Sequence, residues 1–190
     1  MEGNELLEKL RKKDPNAIRL LVDQHQSMVL RTARGFVRNT EDARDITQDV
    51  FIDVITNLHR FRGQSALSTW IYRITVNRSL NFLRKNKWKE NLSTGDPNDE
   101  KGNGPVLHSA DLSQKNPAEL LELDDRSRIL HQALGTLPEK QRIALTLAEF
   151  DELSYKEIAE VMQLTVSSVE SLIFRAKRNL QKRLWKCYKG

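Results

Sequence analysis

Asp42, Asp45, Asp49 and Asp53, with Gln48 beside them, recur at steps of three and four residues. On a helix such spacing lines the side chains along one face. Spaced carboxylates can hold a hard cation or exchange protons. A cation, however, needs ligands that converge on one point. A regular stripe spreads its oxygens along the helix axis, and no His or closing ligand stands nearby. No metal site and no catalytic group are therefore expected here. Two readings remain for the stripe, a solvated face or a face that takes a basic protein partner, and a stripe of this charge repels DNA.

A second constellation lies in FRGQSALSTWIYRITVNRSLNFLRKNK, Phe61 to Lys87, which contains no acidic residue. Trp70, Arg73, Asn77, Asn81 and Arg84 repeat at helical steps, with Arg78 and Lys85 beside them. Tyr72, Val76, Leu80 and Leu83 form a separate apolar stripe that reads as core. Asn and Arg make two-pronged contacts with base edges, and Trp can stack on an exposed base. The plainer reading puts Trp70 in the core and the rest in water. The preceding loop carries the small or polar Gln64, Ser65 and Thr69 with Leu67. It can admit a base close to the backbone or be an ordinary turn.

A third set sits near the C-terminus. At about 100° per residue, Val166, Val169, Ile173, Ala176 and Leu180 fall on one side of a helix, bordered by Leu172 and Leu184. Ser168, Ser171, Arg175, Arg178 and Lys182 fall on the other. Short hydroxyls at the start of a helix and cations further along suit base edges and phosphates respectively. A solvated helix face is the alternative.

The whole chain supports a nucleic-acid reading. Its 190 residues carry 31 Lys and Arg against 26 Asp and Glu, a net charge of +5. The distribution says more than the sum. Between Asp53 and Glu90 there is no acid but eight cations, and after Glu170 no acid but seven. Hydrophobic residues make up 38% and charged residues 30%, enough for folded cores. No apolar run approaches the roughly 18 residues of a membrane span, and the N-terminus lacks the apolar stretch of a secretory signal. A cytoplasmic location is expected. The single cysteine, Cys187, excludes an internal disulfide and a cysteine-based zinc site. His25, His59, His108 and His131 are scattered, and no phosphate-binding glycine loop or nucleophile grouping is present. No cofactor, small-molecule substrate or enzymatic activity is expected.

The elements that must position these sets are helical. Apolar residues recur at three and four positions, and alternating strand patterns are absent. The expected class is all-α, two helical domains joined by a flexible linker, the second a helix-turn-helix. Helices are expected at about 16–37, 41–58 and 68–87, with Asn39 or Thr40 capping the second. Asn91 to Pro117 is polar and rich in Gly, Pro, Asn and Ser, which reads as the linker. Its 27 residues reach at most roughly 90 Å. Further helices are expected at about 118–134, 138–149, 155–162 and 166–188. Ser154 and Glu157 fit a capping box. Gln163-Leu164-Thr165 is so short a connection that the helices around it must cross steeply, as in a helix-turn-helix.

Both halves resemble the extracytoplasmic-function sigma factors of the sigma-70 family. Asp42-Ala43-Arg44-Asp45-Ile46-Thr47-Gln48-Asp49-Val50-Phe51, then Phe61-Arg62-Gly63 and Thr69-Trp70-Ile71-Tyr72-Arg73-Ile74 with Asn77, resemble region 2. Leu137-Pro138-Glu139-Lys140-Gln141-Arg142, Ser154-Tyr155-Lys156-Glu157-Ile158-Ala159 and Ser168-Val169-Glu170-Ser171 with Phe174-Arg175-Ala176 resemble region 4. The resemblance implies a bacterial transcription initiation factor with three surfaces. Asp42, Asp45, Gln48, Asp49 and Asp53 would dock on the clamp helices of the largest subunit of core RNA polymerase. Gln64, Ser65, Leu67, Thr69, Trp70, Arg73, Asn77, Arg78, Asn81, Arg84 and Lys85 would recognise and open the −10 promoter element. Thr165, Ser167, Ser168, Ser171, Phe174, Arg175, Arg178 and Lys182 would read the −35 element. The domains would be residues 1–90 and 118–190, with the linker at 91–117. An anti-sigma factor is implied as a further partner. The competing reading is a two-domain helix-turn-helix regulator that binds duplex DNA without polymerase.

Overall fold

A computed structural model describes residues 2–94 and 117–189. Eight α-helices and one 3-10 turn make up the described residues, and no strand occurs among them. Residues 91–94 and 117, expected in the linker, are helical, and the rest of the expected linker, 95–116, lies outside the described residues together with His108.

Helix α1, Glu2–Arg11, precedes the first helix the spacing predicts. Asp14 then accepts a hydrogen bond from the Asn16 amide at 2.8 Å and, with Pro15 in the first turn, starts α2, Pro15–Phe36. Asn39 caps α3, Thr40–Asn57, by accepting from the Glu41 amide at 2.9 Å. A 3-10 turn, Leu58–Arg60, and a loop containing Gly63 lead to α4, Leu67–Thr94. Gly63 has φ +71°, a conformation that costs a side-chain-bearing residue free energy. α2, α3 and α4 pack together around Leu21, Val29, Phe36, Ile46, Val50, Val54, Ile71 and Val76.

The second half holds α5, Pro117–Gly135, α6, Glu139–Glu149, α7, Tyr155–Met162, and α8, Val166–Lys189. The capping box forms as predicted: the Ser154 amide donates to Glu157 at 2.8 Å, and the Glu157 amide donates to Ser154 Oγ at 3.3 Å. Gln163 takes a left-handed conformation that ends α7, and the Leu164 amide returns to the Ala159 carbonyl at 3.0 Å. Thr165 Oγ1 accepts from the Ser168 amide at 3.2 Å and starts α8.

The two halves share one hydrophobic core. Leu21, Val29, Ala33 and Phe36 from the first half join Ala144, Leu147, Ile158, Val169 and Ile173 from the second in a single buried cluster. α2 packs against α6, and α4 against α7. Gly35 marks the closest approach: a Cβ there would lie 2.3 Å from Thr146 Cγ2 and 3.2 Å from Phe150 Cγ. Any larger residue would force the halves apart. A smaller satellite core gathers Leu134, Leu137, Leu145 and Ala176.

Several interhelical positions are hydroxyl residues, buried Thr32, Thr75, Ser79 and Thr146 among them. Thr32 and Thr75 satisfy their hydroxyls on the carbonyl four residues back, at 3.0 and 2.9 Å. Their small size lets the helices pack closely, although the buried Ser79 Oγ and Thr146 Oγ1 have no hydrogen-bond partner among the described residues.

Candidate functional site

The carboxylate stripe lies on α3 as predicted. The inward set is buried at Ala43, Ile46, Val50, Val54 and Leu58, while Thr47 is half-buried and bonds back to the Ala43 carbonyl. Asp45, Gln48 and Asp49 are exposed, and Asp42 and Asp53 are half-buried. Partial burial, with Asp45 and Glu41 nearby, raises the Asp42 carboxyl above its ordinary range. Ile52 stands on the same face at 61% exposure. Sequence patterning passed over it because an isoleucine on a helix reads as core. No group of three or more metal-ligating side chains converges among the described residues.

The α4 stripe divides in two. Trp70, Asn77 and Asn81 line a cleft of about 280 Å³ with Ile74 and Arg78. Its other wall is the end of α3 and the 3-10 turn, which contribute Asp53, Asn57 and Arg60. Asn57 and Arg60 were not among the residues singled out from sequence, although Arg60 lies in the acid-free zone. Trp70 is half-buried, its ring tilted at 5.4 Å from that of Phe61. It thus packs on the core edge and also presents a ring to the cleft.

Arg73 and Arg84 lie on the other edge of the stripe and turn to the second half. Arg73 donates from Nη2 to the Glu160 carbonyl at 2.7 Å and from Nε to the Val161 carbonyl at 3.3 Å. Arg84 pairs with Glu139 at 2.5 Å and donates to Asn81 at 3.2 Å. Arg78 points the opposite way and grips Asp53 through Nε and Nη2, with Asp49 at 3.9 Å. Three of the four cations named for this face are thus engaged within the chain. Lys85 is exposed, with no ion pair among the described residues.

The loop also differs from a uniformly open surface. Gln64 is exposed and Ser65 half-buried, but Leu67 packs against the core and Thr69 is buried. Thr69 itself lies in the first turn of α4 and is buried, so its side chain is closed off from the surface.

The α8 face is assembled as the spacing predicts. Ser167, Ser171, Arg175, Arg178 and Lys182 are exposed, Thr165 is exposed at the helix start, and Ser168 is half-buried. Phe174 stands among them at 66% exposure. On the opposite side Val169, Ile173 and Ala176 are buried, whereas Val166, expected in the core stripe, is 46% exposed. It is the first residue of α8.

The chain has recognisable relatives. The family described as sigma-70 region 2 matches residues 21–89, and sigma-70 region 4 matches residues 127–180. The RNA polymerase sigma-H factor of Pseudomonas aeruginosa is 35% identical, covering 96% of this chain and 94% of the relative. The ECF RNA polymerase sigma-E factor of Escherichia coli is 34% identical, covering 94% and 92%. Among solved structures, CnrH in complex with the cytosolic domain of CnrY shares the fold at a TM-score of 0.65 and 23% identity, over 94% of each chain. The sigma factor RpoE in complex with the anti-sigma factor NepR from Bartonella quintana shares it at a TM-score of 0.59 and 19% identity, over 87% of this chain and 95% of that one.

Proposed function

The chain belongs to the extracytoplasmic-function sigma factors of the sigma-70 family, and we propose that its three exposed polar faces divide the work of promoter recognition. As a sigma factor it directs core RNA polymerase to promoters and starts transcription. In our reading, α3 docks on the clamp helices of the largest polymerase subunit through Asp45, Gln48 and Asp49, with Asp42 and Asp53 at the margins and Ile52 as an apolar anchor. An anionic face with one exposed isoleucine suits a basic protein surface better than DNA.

The cleft between α3 and α4 receives the −10 element. Trp70 offers a stacking ring, Asn77 and Asn81 offer paired donor and acceptor groups, and Arg60 and Lys85 offer positive charge. The α8 face enters the major groove at the −35 element, with Ser167 and Ser171 near bases and Arg175, Arg178 and Lys182 on phosphates. The domain division follows the same assignment, residues 1–90 for polymerase and −10 contacts and 118–190 for −35 contacts. The polymerase carries the chemistry, the chain catalyses nothing itself, and it works in the cytoplasm where polymerase does. An anti-sigma factor is proposed as its antagonist.

The observation that carries this reading is the separation of charge: an anionic face on α3, an acid-free stretch from Arg60 to Lys89 that includes most of α4, and another after Glu170 on α8. Run-off transcription with purified core polymerase tests it. Initiation that depends on this chain and on both promoter elements is expected. Tight binding of duplex DNA by the chain alone, with no initiation in any reconstituted reaction, would instead support the stand-alone regulator.

A further inference from the structure

The end of α1 and the turn after α3 meet, and both bring cations. α1 and the turn that follows it carry Lys9, Arg11, Lys12 and Lys13. The 3-10 turn and the loop after it carry Arg60 and Arg62. Leu10 is buried in the main core and anchors α1 there. α1 packs against the 3-10 turn, and Arg11 donates from Nη2 to the Phe61 carbonyl at 3.3 Å. The Lys13 amide returns to the Leu10 carbonyl and the Asp14 amide to the Lys9 carbonyl, each at 3.0 Å, with Lys13 at φ +57°. These bonds close the helix and set where its last cations lie. The sigma-70 region 2 family matches from residue 21 onward, so α1 stands outside that match.

Arg11, Lys12, Lys13, Arg60 and Arg62 are all exposed, and none has an ion pair among the described residues. Most acids near the end of α1 are engaged elsewhere. Glu5 pairs with Lys9 at 2.8 Å, and Asp14 accepts from the Asn16 amide at 2.8 Å. Glu8, one turn before Lys12, is exposed. Five cations against one open carboxylate make a positive patch, and gathering like charges costs the folded state free energy. An anionic ligand offsets that cost.

The surroundings favour a nucleic-acid backbone over a protein. Residues 9–13 and 58–62 contain no exposed large apolar side chain, whereas protein docking draws its affinity from apolar and aromatic anchors. Phosphates ask only for charge and donors, which flexible Lys and Arg side chains supply. The patch is also continuous with the α3–α4 cleft. Arg60 lines that cleft beside Trp70 and Asn77. Phe61, whose carbonyl Arg11 holds, sets its ring 5.4 Å from that of Trp70.

We propose that Arg11, Lys12, Lys13 and Arg62 form a phosphate-backbone site for single-stranded DNA, joined to the cleft through Arg60. The strand whose bases enter the cleft runs on over the end of α1. The inference rests on the assignment of the cleft to the −10 element.

Two full-length variants test it. One combines Lys12→Gln, Lys13→Gln and Arg62→Gln, three exposed positions whose side chains make no hydrogen bond or ion pair among the described residues. Arg11 and Arg60 stay, because one braces Phe61 and the other lines the cleft. The second is Asn77→Ala, an exposed cleft position outside the core. Each is titrated by anisotropy with a fluorescent single-stranded DNA 20-mer at several salt concentrations, and separately with core RNA polymerase. The triple variant is expected to lose at least about tenfold in DNA affinity at low salt. Its dependence of log K on log salt should become shallower by about 2, at roughly 0.7 per phosphate contact on a single strand. Its thermal unfolding and core affinity should match wild type. Asn77→Ala is expected to weaken DNA binding with the salt dependence unchanged. Weaker binding by Asn77→Ala alone, with the triple variant like wild type, would overturn the patch and leave the cleft assignment standing. Weaker binding by the triple variant alone would overturn the cleft assignment, and with it the continuous path. A triple variant that loses core affinity and keeps DNA affinity would make the patch a polymerase contact and overturn the proposal. Failure of the wild-type chain to bind the 20-mer would overturn it as well, since the patch is open in this structure.

Discussion

Arg78 of α4 holds Asp53 of α3 through Nε and Nη2, so a cation from the proposed promoter face and an anion from the proposed polymerase face neutralise one another. Asp49 lies 3.9 Å from the same guanidinium. The pair is partly open to water, with 39% of the arginine side chain and 25% of the aspartate side chain exposed. Its two-pronged geometry places it at the upper end of surface ion pairs, about 1 kcal/mol.

Arg78→Ala and Asp53→Ala are each expected to lower stability by about 1 kcal/mol, and the double variant by little more than either single one. Urea unfolding of the three variants checks this. Strictly additive losses would mean the two side chains act independently. Because Arg78 is already spent on Asp53, its loss is expected to weaken single-stranded DNA binding less than Lys85→Ala does.

Much of this arrangement was legible in the residues, for local reasons. The capping box at Ser154 and Glu157, the Asn39 cap and the tight Gln163–Thr165 connection depend on neighbours in the chain, and all three formed. Periodicity separated Tyr72, Val76 and Leu80 from the polar side of α4, and they are buried. What periodicity could not supply was the meeting of the halves. Arg73, Asn77 and Arg84 share one stripe, yet α7, 87 positions on, takes Arg73 and α6, 55 positions on, takes Arg84, while the asparagine stays open. Nothing near Arg73 in sequence specifies the end of α7. Gly35 likewise reads as a weak point in α2 until Thr146 is seen against it. Asn57 and Arg60 belong to the cleft because α3 ends beside α4, a tertiary fact without a local signal.

Asp151 should behave unlike an ordinary salt-bridge carboxylate. Burial pushes its carboxyl above the usual range, and the hydrogen bonds from Thr32 and Arg31 only partly offset that. The folded chain therefore binds a proton at a pH where the unfolded chain does not. Between the raised value and the ordinary one, the folded state holds more protons, so this group's contribution to stability rises as pH falls. Asp151→Asn removes the titration. Unfolding measured from about pH 7 down to about pH 4 is expected to show wild type gaining relative to the variant on acidification. A relative loss would mean that the pairing with Arg31 outweighs burial.

Asp49 tests the α3 face. It is exposed, and its one ion pair among the described residues is the long contact to Arg78. Reversing its charge therefore disturbs the fold little. Asp49→Arg is expected to weaken binding to core polymerase at least about tenfold, since like charges across an interface are costly. Duplex −35 binding by the complex, corrected for occupancy, should be unchanged. Equal affinity of variant and wild type for core enzyme would remove α3 from the docking surface.

Arg175 tests the α8 face in isolation from the fold. It is exposed, shows no hydrogen bond or ion pair among the described residues, and lies one residue after Phe174 at the centre of the polar side. The buried Ile173 and Ala176 on the other side hold α8 in place without it. Arg175→Ala is therefore expected to leave thermal stability and core affinity as in wild type. Duplex binding distinguishes its two possible tasks. If the guanidinium sits on a phosphate, affinity falls similarly for all sequences and the dependence of log K on log salt becomes shallower by about 1. If it reads a base, the loss is about 1–3 kcal/mol on the preferred −35 sequence and smaller on others, while the salt dependence changes less. Anisotropy titrations on two duplexes at several salt concentrations separate these results. No change on either duplex would place the −35 surface somewhere other than this face of α8.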